Sequence, residues 1–148
     1  MGRGSMYLRL IIGFTAMFAV FGYAQWRGGR TERVVSWAML AAYLATPLGA
    51  LLSARLGPRY GVFAIDVLLA CFILVVALRS AKAWPMWAAG FMWAEVVMHL
   101  TIMVDRSVLP TAYIVAVHFW SYFVLLTLAV GTWSADRSRR LRGGDVAA

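Results

Sequence analysis

Four acidic or imidazole side chains interrupt long apolar stretches of the sequence, and all belong to residue types that bind metals or move protons. They are Asp66, Glu95, His99 and His118. Glu95 and His99 are four residues apart, and on a helix this spacing puts both side chains on one face. His118 and Tyr122 repeat the spacing further along the chain. We therefore predict an intramembrane polar site made of Asp66, Glu95, His99, His118 and Tyr122.

These residue types allow three kinds of chemistry. Imidazole and carboxylate groups ligate divalent transition metals, so His99 and His118 could bind such an ion with a carboxylate from Glu95 or Asp66. We take His99, His118 and Glu95 as the predicted set of metal ligands. Two histidines on neighbouring helices also suit the axial positions of a b-type haem. The third alternative is a proton or cation path, because histidine titrates near neutral pH and carboxylates extend a relay. The Glu-x-x-x-His spacing matches neither di-iron bundles nor zinc-protease helices, so the sequence leaves the three alternatives open.

The same side chains also have structural interpretations. A hydrogen bond between Glu95 and His99 or His118 would hold helices together without binding a ligand. Arg9 lies near the start of the first apolar stretch, where it either extends to the lipid headgroups or forms an ion pair with Asp66. The sequence therefore supports a ligand site and a purely structural network side by side.

The composition identifies the solvent around these residues. Hydrophobic residues make up 63% of the 148 residues and charged residues 14%, with a mean hydropathy of +0.77. A soluble domain has about 45–50% apolar and about 25% charged residues. Blocks of roughly 20 apolar residues, which cross about 30 Å of hydrocarbon, occupy residues 6–25, 34–54, 61–78, 84–104 and 111–133. We predict an all-α, polytopic transmembrane helical bundle of five spans, forming a single domain over residues 1–148.

Positive charges are distributed unequally between the two ends of this predicted bundle. The connectors are short, so neighbouring spans run antiparallel. The N-terminus and the second and fourth connectors hold five arginines, namely Arg3, Arg9, Arg55, Arg59 and Arg106. The first and third connectors and the basic tail at 134–148 hold nine basic residues, namely Arg27, Arg30, Arg33, Arg79, Lys82, Arg137, Arg139, Arg140 and Arg142. The positive-inside rule predicts an N-out, C-in topology, and the net charge of +8 fits lipid headgroups better than nucleic acid.

This topology places the polar residues at similar depths. At about 1.5 Å of rise per residue, Asp66 and His99 lie roughly 8 Å below the outer ends of their helices, His118 about 10 Å and Glu95 about 14 Å. All four therefore belong to the outer half of the bilayer, on three consecutive helices. We expect them to converge there.

The first two spans contain features that leave alternatives open. Gly22-Tyr23-Ala24 has the small-x-small pattern of a signal-peptide cleavage site, but cleavage would export the basic tail, so we expect the first span to remain. Pro47 interrupts the second span and removes a helix hydrogen bond, which leaves open whether this span crosses fully. Ala41, Ala45 and Gly49 recur every four residues and predict a face for close helix packing.

Several short motifs carry a resemblance to a known kind of protein. They are Gly28-Gly29-Arg30-Thr31-Glu32-Arg33, Trp84-Pro85-Met86-Trp87-Ala88-Ala89-Gly90-Phe91, His99-Leu100 and Trp120-Ser121-Tyr122. In these motifs the chain resembles small multi-spanning inner-membrane proteins of alphaproteobacteria to which no activity is assigned. The resemblance implies a multi-pass protein of the bacterial inner membrane, and it transfers no functional residue.

Three functions follow as expectations from the sequence. The first is a non-enzymatic subunit of a homo-oligomer or of a larger membrane complex, because the loops are short, nothing resembles a soluble domain and the second span has a small-residue face. The second is a protein that carries a metal, haem b or a proton relay on its intramembrane polar residues. The third is a small transporter or channel with Pro47 as a pivot and Glu95 in the path. No nucleophile paired with a base and no phosphate-binding loop is recognisable, so the sequence gives no positive evidence for catalysis.

Overall fold

The computed structural model describes residues 3–56, 60–104 and 110–144, and all of the regular structure in these ranges is helical. The helices are α1 (Arg3–Arg27), α2 (Arg30–Leu56), α3 (Tyr60–Arg79), α4 (Trp84–Val104) and α5 (Pro110–Gly144). The prediction of an all-α chain is confirmed for the described residues. Each predicted span lies within one of these helices.

Three stretches of the described residues are long and apolar enough to cross a membrane. They are Arg30–Leu52, Tyr60–Arg79 and Val115–Leu141. Pro47 lies inside α2 without ending it, so the helix continues through the position that the sequence analysis left open. Large apolar side chains such as Leu48, Leu51 and Leu68 are exposed on the helix surfaces. Apolar outer faces on long helices are typical of a membrane protein.

The five helices close into a ring. Each helix packs against the next one along the chain, α1 also packs against α5, and α2 contacts α5 across the ring. Small side chains occupy many of the innermost positions, and Ala24, Ala70, Ala77 and Ala88 are all buried. Small residues allow helices to approach closely in lipid, where no hydrophobic force drives them together.

Helices α2 and α3 approach each other closely where Gly49 faces Gly61. A Cβ atom added at Gly61 would lie 2.2 Å from the Gly49 carbonyl oxygen, and one added at Gly49 would lie 2.7 Å from Ile65. Only glycine fits this crossing. The predicted small-residue face is therefore used within the chain at Gly49, whereas Ala41 is exposed.

Helix α5 is longer than the predicted span 111–133, since it continues through most of the basic tail to Gly144. Asp136 stabilises this extension because it accepts a hydrogen bond from Arg140 at 3.0 Å, one helical turn further on. Arg27 at the end of α1 lies 3.6 Å from Asp136, and the Arg139 guanidinium donates to the Arg27 carbonyl. We use the name basic end for the side of the bundle formed by residues 27–33, residues 79–84 and this extension.

We expect Gly61→Ala to lower the free energy of unfolding by about 1–3 kcal/mol, the usual cost of overpacking a close contact. The measurement is an unfolding titration of the protein in detergent, followed by circular dichroism. Gly90→Ala is the matched control, because it makes the same change in a helix where an added Cβ meets nothing within 4 Å. Equal stability of the two variants would contradict the close crossing.

Candidate functional site

A cavity of about 250 Å³ lies at the centre of the ring, and all five helices contribute to its lining. Its polar wall consists of Tyr43, Thr46, Asp66, Glu95, His99, His118, Ser121 and Tyr122. The structure thus brings all five residues of the predicted polar site to one cavity. Tyr43, Thr46 and Ser121 are additional polar groups. We call this space the central cavity.

His99 is the most enclosed polar group of the central cavity, with 3% of its surface exposed. Its Nδ1 atom lies 2.6 Å from the hydroxyl oxygen of Tyr113, a contact that fixes the orientation of the ring. Its Nε2 atom lies 2.7 Å from Asp66 Oδ2, but without the geometry of a hydrogen bond. This nitrogen has no hydrogen-bond partner within the part of the chain that the structure describes.

Glu95 lies one helical turn before His99 on α4 and is 5% exposed. Its Oε1 atom accepts a hydrogen bond of 2.6 Å from the Ser121 hydroxyl on α5. The sequence analysis offered a hydrogen bond of Glu95 with His99 or His118 as a structural interpretation, and the described hydrogen bond of Glu95 is the one from Ser121. No hydropathy signal in the sequence marks Ser121 as the partner of Glu95. Ser121 lies one helical turn after Val117, whose carbonyl oxygen its hydroxyl also contacts, and its side chain faces α4.

Three side chains meet closely enough to share one bound ion. Asp66, Glu95 and His99 each offer a ligand atom, and these three atoms all lie within 4.8 Å of one another. His118 and Tyr122 line the same cavity on α5 and are more exposed, and His118 is not part of this close group. The close group therefore contains His99 and Glu95 of the predicted ligand set together with Asp66, the alternative carboxylate.

The structure also bears on two further predictions, the ion pair of Arg9 with Asp66 and haem b as a cofactor. The predicted ion pair between Arg9 and Asp66 lies outside the described residues, because the side chain of Arg9 is not among them. The described contact of Asp66 is His99. For haem b, the central cavity of about 250 Å³ is below the range of about 300–1,000 Å³ of pockets for drug-sized ligands. The cavity therefore suits an ion with water molecules better than a macrocycle.

A second polar cluster, which the sequence analysis missed, lies at the basic end around Glu32. Its carboxylate is fully buried and accepts hydrogen bonds from Lys82 at 2.7 and 2.8 Å, from the Trp84 indole at 2.9 Å and from the Gly29 amide at 3.0 Å. The sequence analysis left Glu32 in the connector between the first two spans and placed Trp84 at the start of the fourth span. Both are instead enclosed by the ends of the helices.

Local sequence explains part of this arrangement. Glu32 is the third residue of α2, and a glutamate at this position reaches back to the amide of the residue that precedes the helix, here Gly29. Gly28 allows α1 to end against this turn, because a Cβ atom there would lie 2.2 Å from the Ala24 carbonyl oxygen. The Gly-x-x-Glu spacing was thus a usable signal. The partners Lys82 and Trp84, 50 and 52 residues away, had no local signal.

Comparison of the chain with protein-family models, with curated proteins and with solved structures gives no match. A proposal of function therefore rests on the geometry of the two polar clusters. Around Glu32 the carboxylate is surrounded by donors, which is typical of a structural cluster. Around His99 an enclosed nitrogen without a hydrogen bond faces two carboxylates, which is typical of a ligand site.

We expect Lys82→Met to destabilise the protein by roughly 1–3 kcal/mol, because it removes a charged donor from a buried carboxylate. The loss should be smaller in the Glu32→Gln background, since the neutral amide no longer needs the cation. Unfolding titrations of the four proteins of this double-mutant cycle give the coupling free energy. Arg79→Met, which removes an exposed basic residue from the same connector, serves as the control. Strictly additive effects of the two substitutions would contradict the cluster.

Proposed function

We propose that this chain is a five-span protein of the bacterial inner membrane, N-out and C-in, that binds a divalent transition-metal ion in its central cavity. All five helices have at least 20 residues, which suffices to cross about 30 Å of hydrocarbon. The nine basic residues predicted on one side fall at the basic end, and the positive-inside rule puts that end in the cytoplasm. The resemblance to alphaproteobacterial inner-membrane proteins supports the choice of membrane.

The observation that carries the proposal is the meeting of Asp66, Glu95 and His99, with their ligand atoms within 4.8 Å of one another. One imidazole and two carboxylates form a ligand set that suits zinc, manganese and ferrous iron. Small inward movements of these side chains would bring the three atoms to ligand distances. The remaining coordination positions are left to water or to a substrate in the cavity.

Charge balance also favours a divalent cation. An unpaired carboxylate is costly to bury in a medium of low dielectric. Among the described side chains, no lysine or arginine pairs with Asp66 or Glu95. A bound ion of charge +2 would neutralise both carboxylates and lie between Asp66 and the Nε2 atom of His99, which contact each other at 2.7 Å.

The surrounding hydrogen bonds support the same interpretation. Ligand histidines usually donate their second nitrogen to a neighbouring oxygen, which fixes the tautomer and the ring orientation. With its proton on Nδ1, His99 donates to the Tyr113 oxygen and presents the Nε2 lone pair to the cavity. Ser121 holds Glu95 in the same way from α5. These two contacts preorganise the ligands.

A proton relay is the second candidate function, and a different observation favours it. Asp66, His99 and Tyr113 form a row with spacings of 2.7 and 2.6 Å, so His99 can take a proton from the Asp66 carboxyl group at Nε2 and give one from Nδ1 to the Tyr113 oxygen, while the phenol releases its own proton. This function predicts pH-driven proton flux in liposomes that Tyr113→Phe abolishes. The metal site predicts bound ions without such flux.

The subunit role that the sequence predicts stays a prediction, and it is compatible with a resident metal. Its support from the small-residue face is reduced, because Gly49 packs against Gly61 within the same chain. Native mass spectrometry of the detergent-solubilised protein distinguishes a monomer from a homo-oligomer or a complex. The predicted transporter function is tested by metal flux into liposomes, with Glu95→Gln as the variant that should abolish it.

We expect the full chain, purified in detergent without chelators, to carry about one transition-metal ion per molecule, measured by elemental mass spectrometry. After its removal, zinc or manganese should bind again in calorimetric titration. Tyr113→Phe should weaken this binding by about 10–100-fold, as the loss of a ligand's orienting partner does. Asp66→Asn, Glu95→Gln and His99→Gln should each weaken it more.

His118→Gln is the matched control, because His118 lines the same cavity without belonging to the close group. Its metal affinity should stay near that of the wild type. Unfolding titrations of all the variants separate loss of metal from loss of structure. A wild-type protein that binds none of these metals, or equal binding by His99→Gln, would overturn the metal site.

A further inference from the structure

A second and larger cavity lies at the basic end, between the α3–α4 connector, α4 and α5. Its volume is about 620 Å³, and its lining includes Lys82, Arg139, Ser134 and Ser138 on the polar side. A neighbouring hollow of about 340 Å³ shares Gly29 and Arg139 with it and adds Arg30 and Arg33. We call these two neighbouring spaces together the basic cavity.

The polar wall of the basic cavity is positively charged. Among the described residues no acidic side chain lines either space. The Lys82 charge is balanced by Glu32, but Arg139 donates to an uncharged carbonyl, and Arg30 and Arg33 have no described acidic partner. The basic cavity therefore attracts an anion.

The shape of the polar wall suits a phosphate group. Ser134 and Ser138 are four residues apart on α5, so their hydroxyls lie on one face of the helix. Hydroxyl and guanidinium groups together are the donors that bind phosphate oxygens best in proteins. Arg139 follows directly after Ser138 and joins the two spaces.

Apolar residues also line the basic cavity and are exposed on the outer surface of the bundle, and we call them its apolar wall. Trp87 and Val130 belong to this wall and are 65% and 50% exposed. Gly131 allows the Trp84 ring to pack against α5, because a Cβ atom there would lie 2.5 Å from the indole. A ligand that uses both walls is anionic at one end and apolar at the other.

We infer that the basic cavity binds an anionic phospholipid, with its phosphate at Arg139, Ser134 and Ser138 and an acyl chain along Trp87 and Val130. Basic pockets between helices at the cytoplasmic surface bind headgroups of such lipids. A soluble phosphate compound would use the charged wall and leave the apolar wall without a role. The inference depends on the membrane location and not on the metal site.

Native mass spectrometry tests this with the full chain, stripped of lipid in detergent and titrated with phosphatidylglycerol or phosphatidylcholine of the same acyl chains. The wild type should bind phosphatidylglycerol more tightly. Arg30→Gln and Arg139→Gln should each weaken that binding by about fivefold, the effect of one basic residue near the headgroup. Arg139→Lys keeps the charge and should retain most of the affinity.

Arg137→Gln is the matched control, because it removes one charge from the same part of α5, where the guanidinium lies 5.5 Å from the Trp133 ring and does not line the cavity. Its affinity for phosphatidylglycerol should equal that of the wild type. Equal binding of the two lipids by the wild type would overturn the inference, as would equal losses in Arg137→Gln and Arg139→Gln. Displacement of the lipid by millimolar glycerol phosphate would assign the cavity to a soluble phosphate ligand instead.

Discussion

The fully buried carboxylate of Glu32 is the constraint from which the arrangement of the helices follows. A charge removed from water must be paired and hydrogen-bonded, and Glu32 finds its donors in Gly29 before α2, in Lys82 between α3 and α4, and in Trp84 at the start of α4. One side chain thus fixes the ends of four helices. Helix α5 joins them through the contacts of Arg27 with its extension.

Further from the basic end, neighbouring helices of the ring are joined by a glycine contact and by polar contacts. Gly49 and Gly61 bring the backbones of α2 and α3 together, whereas polar side chains around the central cavity link α3, α4 and α5. The Asp66 and His99 contact spans α3 and α4, and the Glu95 and Ser121 hydrogen bond spans α4 and α5. The cavity is therefore a product of the same contacts that hold the ring together.

The two cavities have opposite electrostatic character. Two carboxylates and two imidazoles line the central cavity, which favours a cation, while arginines line the basic cavity, which favours an anion. The Glu32 cluster belongs to neither ligand class, because its donors and acceptors are matched within the protein. A buried polar cluster with all partners present stabilises a fold, whereas one with an unbonded nitrogen, as at His99, leaves a position for a ligand.

The sequence by itself determined the helical class, the approximate bounds of the five helices and the shared face of Glu95 and His99, because length, apolar composition and helical period are local properties. It also collected five of the eight polar residues that line the central cavity. It did not determine that Glu32 is buried, that Ser121 binds Glu95, or that Asp66 and not His118 joins the close group. Helices surrounded by lipid are apolar on most faces, so the sequence pattern does not tell which face turns inward. Only packing across the ring decides these rotations, and with them the partner of each polar side chain.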